Sequence, residues 1–136
     1  MAGNGNPYSK RTLSTVGEVI ESNETLTALD AALPTDINSV TLPAGTWILY
    51  GSVYAVTNEI VALLQYLQGQ ISDVSENLSP SPYLSQVDFG GQSNCGLPFS
   101  YKPVVITVET TFYLTIACQV AVTGSIYGNL SAIRFK

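Results

Sequence analysis

The chain contains no histidine, which removes the commonest general base at neutral pH and the commonest zinc ligand. Charge is scarce as well: Asp, Glu, Lys and Arg make up 11% of the 136 residues, against about 25% in an ordinary soluble domain. Only five of those residues are basic, and no basic stripe forms. Binding to nucleic acid is therefore not expected, and attraction to an anionic membrane surface is disfavoured. No stretch reaches the roughly 18 apolar residues of a membrane span; the longest patch, Ile60 to Leu67, is broken by Gln65. The first twelve residues carry no apolar core of a secretory leader. Neither GxSxG, GxxxxGK[ST], HExxH nor GxGxxG occurs, so the usual nucleophile, phosphate, zinc and dinucleotide motifs are missing.

Two cysteines are present, Cys95 and Cys118, too few for a disulfide framework. Cys118 lies in an alternating apolar run and reads as a core residue, while Cys95 falls in a Gly-rich loop. Whether they bridge is open on sequence alone. Three Asn-x-Ser/Thr triplets, at Asn23, Asn77 and Asn129, need a secretory route for glycosylation and are read as unmodified.

What is abundant is apolar: 46% of residues are hydrophobic. That is enough for a full core with apolar surface left over, and such surface usually belongs to a partner. Residues 1–12, with Gly3, Gly5, Pro7 and the basic pair Lys10 and Arg11, read as a flexible polar arm. Residues 13–136 read as one domain. Val16 to Ile20 and Val40 to Leu42 suggest strands, and Leu26 to Leu33 a helical turn ended by Pro34. After the turn at Pro43-Ala44-Gly45 comes the clearest strand, Trp47 to Thr57. Trp47, Leu49, Gly51, Val53 and Ala55 point one way, and Ile48, Tyr50, Ser52, Tyr54 and Val56 the other. Both faces carry apolar groups. A strand covering a monomeric sandwich shows one polar face, so core on one side and a subunit contact on the other are expected.

Residues 60–72 read as a further strand, with Ile60 to Leu67 ambiguous between strand and helix. Residues 73–100 are rich in loop signals, with a strand fragment from Tyr83 to Phe89. Val104 to Glu109, Phe112 to Val122 and Ile126 to Phe135 close the chain as strands. Many short strands divided by Gly, Pro and Ser clusters argue for an all-β, two-sheet antiparallel β-sandwich or jelly roll. Catalytic candidates are few: Asp73 with Glu76, or Asp88, could serve as an acid–base pair. Their polar loops suit solvated carboxylates better, so the expectation is a non-enzyme with no cofactor and no metal.

Four segments, in order, carry a resemblance. Ser39-Val40-Thr41-Leu42-Pro43-Ala44-Gly45-Thr46-Trp47 runs into Ile48-Leu49-Tyr50-Gly51-Ser52-Val53. Leu64 to Ser72 ends in Gly69-Gln70-Ile71-Ser72. Thr110-Thr111-Phe112-Tyr113-Leu114 follows, and Tyr127-Gly128 through Ala132-Ile133-Arg134-Phe135 closes the chain. Over residues 36–136 this order resembles small structural domains of phage and virus particles, and the wider tumour necrosis factor-like jelly roll shared with the globular heads of complement-type collagens. The resemblance implies a homotrimer with Tyr50, Tyr113 and Tyr127 at the threefold axis. It implies a virion surface protein made in the host cytoplasm: a head-fibre or tail-fibre knob, a spike or a capsid decoration. The arm with Lys10 and Arg11 would then hold a capsid or tail protein. The loop bearing Tyr83, Asp88 and Phe89 would face a host surface glycan or protein. A carbohydrate-binding module, with Tyr83 and Phe89 as its sugar platform, and a small loop-carboxylate hydrolase are the alternatives.

Overall fold

The computed structural model describes residues 16–58, 66–79, 81, 83–89, 93–119 and 121–136. The arm at 1–12 and the apolar patch preceding Tyr66 lie outside them. The described residues form nine strands and no helix: β1 (Val19–Leu29), β2 (Thr35–Leu42), β3 (Gly45–Thr57), β4 (Tyr66–Ser72), β5 (Ser85–Asp88), β6 (Asn94–Pro98), β7 (Lys102–Ile106), β8 (Thr110–Cys118) and β9 (Val122–Arg134). They pair antiparallel in two sheets. The first sheet has the order β1-β9-β3-β6, with β7 pairing the opening half of β3 beside β6. The second has the order β2-β8-β4-β5. No helix of the described residues is long and apolar enough to cross a membrane.

The alternation read in β3 is the one that builds the core. Trp47, Leu49, Val53 and Ala55 are buried between the sheets. Ala132, Leu130, Gly128 and Ile126 of β9, opposite Leu49, Gly51, Val53 and Ala55, turn inward with them. Phe112, Leu114, Ile116 and Cys118 of β8 answer from the second sheet, beside Leu67 and Ile71 of β4 and Val40 and Leu42 of β2. The indole of Trp47 donates to the Pro43 carbonyl at 3.0 Å, so the largest core side chain leaves no stranded donor. Asn38, also buried, ties the layers together: its side-chain amide donates to the carbonyls of Ser22 on β1 (2.8 Å) and Gly128 on β9 (3.2 Å). Gly69 on β4 lets the Phe99 ring lie against the strand, since a Cβ there would stand 2.4 Å from the ring.

Two local expectations are overturned. The stretch from Leu26 is not a helical turn. It stays extended through Leu29, bulges between Leu26 and Ala28 against β9, and Ala31 then bridges Cys118; ladder bonds to β9 outweigh local helix preference. The Gly-rich segment around Cys95 is not a loop but β6, on the edge of the first sheet. Its Pro98 is tolerated there because an edge strand has backbone groups that need no ladder partner. Cys95 and Cys118 are both buried and carry thiols, with no disulfide between them.

Candidate assembly face

The outward face of the first sheet is laid out by register. Residues directly opposite on antiparallel strands share a face, so rows of side chains run across β1, β9, β3 and the β6/β7 edge. One row is Val19, Ile133, Ile48 and Pro103. The next is Glu21, Ser131 and Tyr50. Then come Asn23, Asn129, Ser52 and Pro98, and then Thr25, Tyr127, Tyr54 and Gly96. Tyr54 and Tyr127 face each other as a cross-strand pair and remain 48% and 50% exposed. Val105, on the same side of β7, is 77% exposed. Among the described outward positions of these strands Glu21 is the only charged side chain.

The polar groups on this face are mostly tied to one another. The Asn129 amide donates to Asn23 Oδ1 at 2.8 Å. The Ser131 hydroxyl lies 3.2 Å from Asn129 Oδ1 and 3.3 Å from Glu21 Oε2. The Tyr50 ring meets Tyr101 edge to face, centroids 5.6 Å apart at 89°, a favoured aromatic geometry. A shallow depression opens between the asparagine row and the tyrosine row, walled by Tyr54, Tyr127, Asn23, Glu24, Asn129 and Ser52.

The second sheet's outward face is different, because the chain folds over it. Between β4 and β5 the segment from Asp73 onward is held by two side chains. Asp36 accepts from the Thr115 hydroxyl (2.7 Å), from the Glu76 amide (2.9 Å) and from the Ser75 hydroxyl. Gln70 accepts from the Ser79 amide (2.9 Å) and donates to the Ser81 hydroxyl (3.0 Å). Thr115, Gln70 and Ser72 are buried as a result.

This arrangement sorts the residues singled out in the sequence. Tyr50 and Tyr127 do share the first sheet's open face. Tyr113 does not: it lies on β8, opposite Ser39 and Ser72, on the outward side of the second sheet. Two layers of sheet separate it from the other two, so the three tyrosines are not one cluster within the chain. Phe89 is not a recognition residue at the surface either. It is 3% exposed and belongs to the core, because burying a phenyl ring outweighs the loop signals around it. Tyr83 lies beneath Lys102, whose ammonium is 5.3 Å from the ring centroid and donates to the Ile71 carbonyl at 2.9 Å. Burial lowers the Lys102 pKa, with Asp73 acting in the opposite direction. Asp88 is exposed at the end of β5. Asp73 and Glu76 are exposed in the covering segment, and Glu76 contributes its backbone amide there. Lys10 and Arg11 lie outside the described residues.

Sequence reasoning missed Tyr101, Asp36 and Gln70, and placed Tyr54 on the outward side of its strand without singling it out. Its signal was the alternation with Tyr50.

No protein-family model matches the chain, and no curated protein matches it in sequence. Among solved structures it is similar to a chain of the acidic stable capsid structure of Helicobacter pylori bacteriophage KHP30. The TM-score is 0.50 at 15% identity, over 90% of this chain and 89% of that one. At that identity the likeness concerns the fold: an all-β chain of two antiparallel sheets.

Proposed function

We propose that this chain is a non-enzymatic structural protein of a phage particle, displayed at the virion surface as a homotrimer. The observation that carries the reading is the bare, nearly uncharged outer face of the first sheet, borne on a fold similar to a chain of a phage capsid structure. The strand orders β1-β9-β3-β6 and β2-β8-β4-β5, with the chain crossing repeatedly between sheets, support a jelly roll of the tumour necrosis factor-like kind. Area supports self-association. β3 and β9 each run 13 residues, which at ~3.3 Å per residue and ~4.8 Å between strands gives a four-stranded face of about 800 Å². That is about what one partner buries in a stable complex. Composition supports it too: tyrosine is enriched at interface cores and charge is depleted there. The occupant is a second and third copy of this chain, with Tyr54 and Tyr127 joining Tyr50 at the contact.

Residues 1–12, with Lys10 and Arg11, tether the trimer to a capsid or tail protein, and three weak arms suffice because they act together. Host attachment, to a surface glycan or protein, would fall to the outward loops. The test is light scattering of the purified full chain at micromolar concentration. A trimer is expected, and a stable monomer overturns the reading. A chain lacking residues 1–12 should trimerise as before and fail to band with particles in a density gradient. Full binding by that shortened chain would move the attachment to the β-sandwich.

A further inference from the structure

We infer that the open edge of β1 is a docking site for the chain's own residues 8–15, which add a further strand to the first sheet in the free subunit. The inference is independent of the subunit contact. It goes beyond the tether reading by giving the arm a seat, from which a particle protein would draw it. An edge strand presents a row of backbone groups without ladder partners, and proteins keep such edges short, blunt them with proline or lysine, or cover them. On the other edge of the first sheet β6 and β7 follow that rule: they run 5 residues each and carry Pro98 and Pro103. β1 does not. It runs 11 residues, holds no Pro, Gly, Lys or Arg, and among the described residues pairs on one side only, with β9. Its bulge comes late, after Leu26. The register tells which groups face outward from the edge. The Arg134 amide donates to the Glu18 carbonyl at 2.9 Å, so Glu18 and every second residue after it turn their backbone groups to β9. Val19, Glu21, Asn23 and Thr25 turn theirs to the open edge.

Three observations name the occupant. The chain enters β1 through a turn at Val16 and Gly17, with Gly17 at φ +88°, and a turn sends the residues before it back along the strand that follows. The 15 residues before Val16 reach about 50 Å when extended, against about 36 Å for β1, so they span the edge. Composition is the second. Residues 8–15 contain no glycine or proline, and Tyr8, Thr12, Leu13 and Thr15 suit a strand. Charge is the third. β1 carries Glu21 and Glu24 and no cation, whereas residues 1–15 carry Lys10 and Arg11 and no acidic side chain. A tight turn about Gly17 brings Lys10 and Arg11 level with residues 21–24 of β1, and opposite charges at facing or diagonal positions of paired strands attract.

The experiment is amide hydrogen exchange, read residue by residue by NMR, on the full chain, on a chain lacking residues 1–12, and on the full chain with Lys10→Glu and Arg11→Glu. All three are compared in one assembly state, checked by light scattering. The Glu21, Asn23 and Thr25 amides should exchange about tenfold faster or more in the shortened chain. The Ser22 and Glu24 amides, which point to β9, should keep their rates. The charge-reversed chain should fall between the two, because its arm keeps its backbone and meets like charge. An isotope-labelled shortened chain mixed with an excess of unlabelled full chain should keep its fast edge amides, since each arm serves its own subunit. Equal exchange of the three edge amides in the full and shortened chains overturns the inference. So does their slowing in the mixture, which would make a neighbouring copy's arm the occupant. Neither result touches the trimer or the tether, which light scattering and particle banding test separately.

Discussion

The two outer faces of this sandwich solve the same problem in opposite ways. Both are built from strands whose second face would otherwise meet water with little charge to solvate it. On the second sheet the chain supplies its own cover: Asp36 and Gln70 hold the segment after β4 against Thr115 and Ser72 with hydrogen bonds inside one molecule. On the first sheet nothing among the described residues plays that part, and Tyr54, Tyr127, Val105 and Val19 stay exposed. A face that a chain covers with polar clamps needs no partner, whereas one left open and nearly uncharged over about 800 Å² is the kind that partners cover. Substitutions on the first face should therefore change assembly and spare the fold, and substitutions on the second should do the reverse.

The largest separation is expected from Tyr127→Asp. In the free subunit the side chain is half exposed, so the monomer should fold with an unchanged urea midpoint. At a symmetric contact the new carboxylate meets copies of itself in a dry setting, at a cost of ~3–5 kcal/mol per buried charge. Light scattering should find only monomer. A trimer that persists would mean that copies do not meet through this face.

Asp36→Ala is the converse. It strands the fully buried Thr115 hydroxyl and frees the Ser75 and Glu76 donors, and a lost buried partner of this kind costs about 1–3 kcal/mol. The urea midpoint should fall, exchange of the Glu76 and Ser79 amides should accelerate, and the trimer constant should hold once both samples are folded. Loss of assembly with no loss of stability would invert the roles given to the two faces.

How far these faces could be read beforehand follows from the range of the forces involved. Strand β3 was legible because its alternation is local: Trp47, Leu49, Val53 and Ala55 bury, and Tyr50 and Tyr54 do not. That β8 also alternates placed Tyr113 on an outward side. Which of two sheets that side belonged to depends on pairing with β2 and β4, and no spacing in the sequence encodes it. β6 was hidden by Gly96 and Pro98, residues that an edge strand accepts and that otherwise mark loops. Phe89 looked exposed because it precedes a glycine pair, yet its burial is decided by contacts with distant strands. The Asp36 clamp joins residues 39, 40 and 79 positions apart, so nothing local announced it.

Between the sheets, Cys95 gives a smaller effect that separates the shared interior from both faces. Burial, then Cys118, then Asp88 push its thiol pKa up to about 11 from 9.0. A thiol held protonated in the fold adds stability that is fully present below the unfolded value and is lost as pH rises through the folded one. Wild type should therefore lose stability relative to Cys95→Ala between about pH 9 and pH 11, by on the order of 1–2 kcal/mol. The check is the difference between their urea midpoints across that window, in reductant. A flat difference would mean the thiol ionises as freely as in the unfolded chain.

Tyr83→Ala should do least. The ring lies under the Lys102 ammonium at 5.3 Å, a contact worth about 0.5–1 kcal/mol where water still reaches it. Lys102 keeps its bond to the Ile71 carbonyl without the ring, so the link from β7 across to β4 survives. Stability should drop by no more than about 1 kcal/mol, and the trimer constant should not move, because Tyr83 is not among the outward rows of the first sheet. The substitution also bears on a recognition role for this loop: alanine leaves fold and assembly in place, so any loss of particle binding to host cells would belong to the loop itself. If Tyr83→Ala instead weakens the trimer as strongly as Tyr127→Asp, the subunit contact includes the edge where β4, β7 and this loop meet, and the division between a self-covered face and a partner-covered face does not hold.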